Sequence, residues 1–371
     1  SITGGNMFQA WSVADVTYEY FGVEGWISGL LMSVIVAAVI LGGIKRIAKV
    51  TSMIVPIMVA LYILAGIYVL IVNFSDIPEM FRLIVVSAFT TSEASGAFIG
   101  GSVGTAFMFG TKRAIFSNEA GQGSSPIVHA AVKTNEPARE GIIAGIEPLI
   151  DTIIVCTFTA LIILSTGIWD RDVDIQFSAT PKIIDQGDTW SFSDTLHTNK
   201  SGKKGDPVIM HVIADFNKVT GQYIHKVPGK IISKDNSLEI KWDDFKSSQK
   251  PKIHSTGYYF DYVGATLTAK AFDAVNIGLG KWLITIASWF FAISTIMAWG
   301  YYGEQGLIYL LGEKSVFAYR IIYCSLIFFA TLGLIETSVD LDNLSGIGLG
   351  IIVYANLPIC WIFGYRAINA Y

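Results

Sequence analysis

Seven stretches of 15 to 26 residues carry no Asp, Glu, Lys or Arg, and they constrain this chain more than any other feature. They cover residues 26–44, 50–75, 94–111, 152–169, 282–303, 321–335 and 343–365, spans A to G. Crossing a bilayer core takes about 20 apolar residues. With no water to bond the backbone there, each such run folds as a helix. Span D extends backward through Asp151 and Glu147 to about residue 138, and span F begins near Phe317. Charge is placed to match. Half of the 56 charged residues fall within 170–273, a polar stretch between D and E. The chain is 15% charged, against about 25% for soluble domains. This excludes an ordinary soluble enzyme and a disordered chain. A net charge of −4 without a basic cluster excludes a nucleic-acid binder. Cys156, Cys324 and Cys360 sit in apolar stretches and show no metal or disulfide spacing. The fold class is an all-α polytopic membrane protein with one insert.

Basic residues orient the spans, because cytoplasmic loops carry the excess of Lys and Arg. The A–B loop holds Lys45, Arg46 and Lys49; the C–D segment holds Lys112, Arg113, Lys133 and Arg139. Lys314 and Arg320 lie between E and F, and Arg366 follows G. The B–C and F–G loops are acidic. The alternation predicts seven crossings, with 170–273 extracytoplasmic. That insert reads as a small β-rich domain, with strand-like pieces at 207–215, 229–233, 237–242 and 258–262 separated by Asn, Gly, Pro and Ser clusters. The chain divides into 1–169, 170–273 and 274–371. Four histidines fall in the insert without tight ligand spacing, and read as surface residues rather than a metal site.

Span C contains Gly100 and Gly101, then Ser102, Val103 and Gly104. Paired glycines favour an unwound turn. Unwound backbone at membrane depth is tolerated only where it is buried in protein or lines a cavity. Half-helix N-termini there offer N–H groups to a carboxylate, as in transporters with broken helices. Close packing of small residues explains span C equally well. After it comes 111–127, TKRAIFSNEAGQGSSPI, in which Ser117 reads as the cap of a helix start. A catalytic reading of Ser117, Asn118 and Glu119 is weak: there is no nucleophile elbow, and His129 is a lone histidine.

At these residues the chain resembles the alanine or glycine:cation (sodium) symporter family of the amino acid-polyamine-organocation superfamily. Its signature is close to KRG-(L/I)-FSNEAG-x-GS-x-P, with Ala114 here in place of the usual Gly. The resemblance continues at 4–10 (GGNMFQA), 42–48 (GGIKRIA), 150–164 (IDTIIVCTFTALIIL) and 291–303 (FAISTIMAWGYYG). It implies a leucine-transporter-like inverted repeat in which A to G are helices 4 to 10, helix 6 is the broken one, and helices 1 to 3 are missing. It also implies sodium-coupled symport of alanine or glycine across a plasma membrane, the inner membrane in a bacterium. Sodium is the coupling ion and no other cofactor is implied.

On that plan Phe98, Gly100, Gly101, Ser102, Val103 and Gly104 are expected to contact substrate, and Trp299 to close the path. Ser294 and Thr295 resemble sodium ligands, hydroxyl oxygen being a hard donor; bonding back to helix carbonyls is the alternative. Asp151 is an acid at membrane depth, where ionisable groups are costly. It is expected to line the ion path or anchor the broken helix. Lys112, Arg113, Ser117, Asn118 and Glu119 are expected to form an inner gate. Two readings of other classes stay open. One is a sensor or adhesion protein working through the insert. The other is an intramembrane enzyme, against which the spans offer no nucleophile–base or metal-ligand set.

Overall fold

The computed structural model of the chain describes residues 1–89, 103–197, 202, 205–217, 222–234, 237–333 and 338–370. In order the elements are a π turn Thr3–Met7, α1 Phe8–Phe21, α2 Gly25–Ile40, α3 Ile44–Val72, α4 Ile77–Phe89, α5 Val103–Asn118, α6 Ser125–His129 and α7 Pro137–Leu149. A π turn, Ile150–Cys156, joins α7 to α8, Thr157–Ser165. Among the described residues nine strands follow, from β1 Ile175–Gln176 to β9 Gly257–Phe260. Then come α9 Gly264–Val275, a π turn Leu279–Ile284, α10 Thr285–Leu311, α11 Val316–Phe329 and α12 Ser338–Ala370. The chain forms two compact units: residues 1–75, 111–166 and 263–371, and residues 76–110 and 167–262.

The first unit is a helical bundle. Among the described residues four continuous helical stretches are long and apolar enough to cross a membrane: Ile44–Val72, Pro137–Ser165, Leu279–Leu311 and Asn343–Arg366; Gly25–Ile40 is apolar but shorter. The bundle core joins Ala10 and Val13 of α1, Met32, Val36 and Ile40 of α2, Ile293, Ile296 and Met297 of α10, and Tyr323 and Ile327 of α11. More than half of the most apolar stretch of Leu279–Leu311 is buried, so α10 is the centre. The outward faces are apolar as well: Leu64 and Ile71 of α3 are each 67% exposed, and Ile347 and Trp361 of α12 are exposed too. A contiguous apolar surface of this extent suits lipid, not water.

Two helices of this unit escape a search for charge-free runs. Helix α1 contains Asp15 and Glu19, and α9 contains Lys270 and Asp273, residues that the sequence places in the insert. Their charges are tied rather than solvated. Thr266 Oγ1 donates to Asp15 Oδ2 at 2.6 Å, and Lys270 Nζ lies 2.6 Å from Glu19 Oε1. Asp273 Oδ1 accepts the N–H groups of Gly278 and Gly280 at 2.9 and 2.8 Å, covering the turn into α10.

In the second unit the predicted strand pieces do form strands. β2 Ile183–Asp185 and β3 Trp190–Phe192 make a hairpin. β4 Thr195–Leu196, β5 Pro207–Asn217, β6 Gln222–Lys234, β7 Ser237–Trp242 and β8 Lys252–Ile253 complete an antiparallel sheet of order β1-β9-β5-β6-β7-β4, with β8 also on β5. Alternation sets its inner face: Val208, Met210 and Val212 of β5 pack with Val227, Ile231, Ile240, Trp242 and Tyr258. Two of the insert histidines are not surface residues. His197 and His211 are 6% and 1% exposed, and His197 Nδ1 lies 2.6 Å from the Tyr258 hydroxyl. His211 lies on the face of β5 opposite Met210, against the Tyr259 ring at 5.1 Å between centroids.

Candidate functional site: the junction at the SNEAG motif

The motif residues begin inside a helix, not before one. Helix α5 runs through Ser117 and Asn118, so Ser117 sits in a last turn and caps no helix start. The chain then leaves the helix through left-handed residues: Glu119 at φ 55°, Gly121 at 78° and Gly123 at 81°. Glycine adopts such angles freely; Glu119 is the one non-glycine among the described residues that does so. Local bonds hold it there. Asn118 Oδ1 accepts the Ala120 N–H at 2.9 Å, Glu119 Oε2 accepts from Ser124 Oγ at 2.7 Å, and Asn356 of α12 donates to the Gly121 carbonyl at 3.0 Å. The buried Gln122 donates to the Ile115 carbonyl, which the end of α5 leaves without a helical partner.

The same turn grips span D. Ser117 Oγ donates to Asp151 Oδ2 at 2.6 Å, and Asn118 Nδ2 to Thr152 Oγ1 at 2.9 Å. Both partners lie on the π turn Ile150–Cys156, just after Pro148, which has no N–H to offer the helix. The structure thus joins three of the predicted site residues, Ser117, Asn118 and Asp151. His129 closes the far side: Nδ1 lies 2.7 Å from Glu140 Oε1, and Nε2 lies 3.3 Å from Glu147 Oε2. The bond to Glu140 holds the imidazole above its ordinary pKa, with Glu147 adding to it. Burial raises the Glu119 carboxyl, Ser124 opposes this, and Glu147 reinforces it. No motif announced His129; an i, i+7 pair of acids facing it from the next helix is the signal, and it is a weak one.

Trp299 is buried on α10 and stacks on Phe116, with ring centroids 6.3 Å apart and planes at 17°. The Thr3–Met7 turn fits against both rings. A Cβ on Gly4 would stand 2.6 Å from Phe116, and one on Gly5 would run into Trp299. Asn6, fully buried beside them, donates to the Tyr323 carbonyl at 2.8 Å. Ser294 is buried and donates to the Phe291 carbonyl at 3.0 Å; Thr295 follows it on α10, one turn before Trp299. Asp151 bonds to Ser117 and Ser294 to its own helix. Phe98, Gly100, Gly101 and Ser102 lie outside the described residues, and Val103 and Gly104 open α5. Lys112 and Arg113 line a cleft with Phe8, Phe116 and residues of α12.

Long apolar helices with apolar outer faces, joined by polar contacts at the SNEAG turn, define a multi-pass membrane protein. The family model described as the sodium:alanine symporter family matches residues 1–187 and 253–371. The chain belongs to that family, one of transporters and not of enzymes. Relatives include the sodium/alanine symporter AgcS of Methanococcus maripaludis, 34% identical over 342 residues, 91% of this chain and 56% of that protein. The sodium/proton-dependent alanine carrier protein of Bacillus sp. strain PS3 is 28% identical over 353 residues, 94% of this chain and 61% of that protein. An uncharacterized transporter of Haemophilus influenzae is 28% identical over 357 residues, 95% of this chain and 58% of that protein. The chain spans less than two thirds of the length of each of these relatives. Residues 188–252, most of the sheet, fall outside the family match.

Proposed function

We propose that the whole protein is a sodium-coupled symporter of alanine, with glycine as an alternative small substrate, in a plasma membrane. The observation that carries this reading is the family match over the helical unit, centred on a motif that grips an acid in a membrane helix. The two named alanine carriers among its relatives point the same way. On a leucine-transporter-like plan, α2 and α3 are helices 4 and 5, and α5 ends broken helix 6. The α7–α8 pair is helix 7, and α10, α11 and α12 are helices 8, 9 and 10. Helix α1 then takes the place of helix 3. The A–B and C–D loops face the cytoplasm, and residues 170–273 face outward.

In this reading the glycines before α5 leave room for a small amino acid, and freed N–H groups hold its carboxylate. Ser294 and Thr295 offer hydroxyl oxygens to sodium. The Ser117–Asp151 and Asn118–Thr152 bonds belong to the inner gate, with Lys112, Arg113 and Glu119 beside them. Coupling requires sodium and amino acid to favour the same conformation, so each tightens binding of the other by the same factor. Uptake of labelled alanine into vesicles holding the whole protein tests this, with and without an inward sodium gradient. The expected result is sodium-driven accumulation, lost on Gly101→Leu and Ser102→Leu. A folded protein that accumulates no small amino acid overturns the reading.

A further inference from the structure

A cavity of about 580 Å³ opens in the second unit, where residues 170–176 and 254–259 meet β5. Small-molecule sites run from about 300 to 1,000 Å³. Alternation along β9 builds the floor. Tyr258 packs on the inner face of the sheet, so Tyr259 faces the other way, beside Ile209 and Val173. Tyr259 is 5% exposed, lines the cavity, and its hydroxyl makes no hydrogen bond among the described residues. A buried tyrosine hydroxyl ordinarily finds a partner, so this one is left for a group that enters the cavity. The rim is negative. Asp170 and Asp172 are exposed and make no side-chain hydrogen bond or ion pair among the described residues. Arg171, between them, is already engaged. Its Nε and Nη2 donate to Asp174 at 3.2 and 3.1 Å, Nη1 donates to the Ile168 carbonyl at 3.2 Å, and Nη2 also to the Phe260 carbonyl at 2.8 Å. Burial holds the Tyr259 hydroxyl above its ordinary pKa; Arg171 opposes this, and Asp172, Asp174 and Asp170 add to it. Three carboxylates against one guanidinium thus set the field at that hydroxyl.

Free acceptors around an apolar floor fit N–H donors that carry positive charge on a carbon body. We propose that this cavity binds an aliphatic diamine, its ammonium groups on Asp170, Asp172 and the Tyr259 hydroxyl. Its carbon chain lies over Val173 and the Tyr259 ring. An amino acid does not suit the same lining, because its carboxylate would face two free carboxylates while every Arg171 nitrogen is bonded elsewhere. A metal ion does not suit it either: among the described residues no group of three His, Cys, Asp or Glu is placed to hold one. His211, whose ring packs on Tyr259, lies outside the family match, whereas residues 170–176 and 254–259 lie within it. The cavity therefore needs a strand that the family match does not cover. The inference stands on the second unit alone and does not rest on the transport reading.

Isothermal titration calorimetry of the whole protein in detergent, with 1,4-diaminobutane at fixed ionic strength and neutral pH, reads this directly. The diamine is expected to bind more tightly than butylamine, which brings one ammonium. Asp172→Asn should weaken the diamine roughly tenfold, the scale of one charge-assisted hydrogen bond. Tyr259→Phe keeps every charge and removes the hydroxyl alone; it should weaken binding roughly threefold, which a general attraction of cations to acids does not produce. Asp244→Asn, at an exposed acid of the same unit that does not line the cavity, should leave binding unchanged. No binding of the diamine by the folded protein, or binding indifferent to both cavity variants, overturns the proposal. Displacement by alanine at equal concentration assigns the cavity to an amino acid, and displacement by calcium assigns it to a metal ion; either overturns it too.

Discussion

At the scale of single residues, the junction depends on contacts between positions far apart in the chain. Ser117 and Asp151 are 34 positions apart and share a 2.6 Å bond. Ser117→Ala and Asp151→Asn should therefore couple in a double-mutant cycle by about 1 kcal/mol, read by thermal unfolding in detergent. Strict additivity would remove the bond from the account. Gly5→Ala forces a methyl into Trp299 and should destabilise by about 1–3 kcal/mol, with Trp299→Leu restoring part of the loss. If Gly5→Ala is neutral, the fit of that turn against the ring is not tight. The motif residues and Asp151 were each legible in the sequence, one by pattern and the other as an acid in an apolar run. Their pairing was not, because nothing local records which turn of span D faces the motif. The cap reading of Ser117 failed for a related reason: the helix that ends at Asn118 starts among glycines that argue against a helix at all.

At the scale of elements, α6 is a five-residue helix clasped to α7 by one imidazole. His129 faces Glu140 and Glu147 on α7 and Glu119 on the turn before α6, and its folded pKa is raised. A raised imidazole stabilises fully below its free value of about 6.5 and loses that contribution as pH climbs through the folded value. The difference in melting temperature between the parent and His129→Gln should thus be largest near about pH 6 and shrink toward about pH 9. A difference that stays constant over that range would mean the clasp is not ionic. Most elements were legible as apolar runs, with α3 and the α7–α8 stretch matching spans B and D closely. Helices α1 and α9 were missed because each buries charge against the other, which charge counting treats as exposure.

At the scale of the molecule, the family match covers the whole of one unit and leaves residues 188–252 of the other outside it. The β1–β9 pairing brings Phe177 and Thr256 together, with Phe177 N–H on the Thr256 carbonyl at 3.2 Å. Replacing residues 178–255 by an Asn-Gly turn closes that ladder as a hairpin. Sodium-driven alanine uptake by the whole protein should survive within about threefold, since a change of that size is under 1 kcal/mol. Abolished uptake by a folded variant would place the sheet within the transport cycle. Polar composition marks residues 170–273 in the sequence, and the strands fall within them. Helix α9, polar in sequence, packs with α1, α3 and α8.

Among its described residues the bundle carries three π turns, at Thr3–Met7, Ile150–Cys156 and Leu279–Ile284. Each holds a residue more than an α-spiral requires. One residue is worth about 100° of rotation and 1.5 Å of rise. Closing the turn at Ile150–Cys156 would roll α7 about its axis by that angle while α8 kept its phase. Asp151 would swing away from Ser117, and Glu140 and Glu147 from His129, with the helix still hydrogen-bonded along its length. The slack is stored where the grip is, so the junction can be released by a change of pitch instead of a break in the helix.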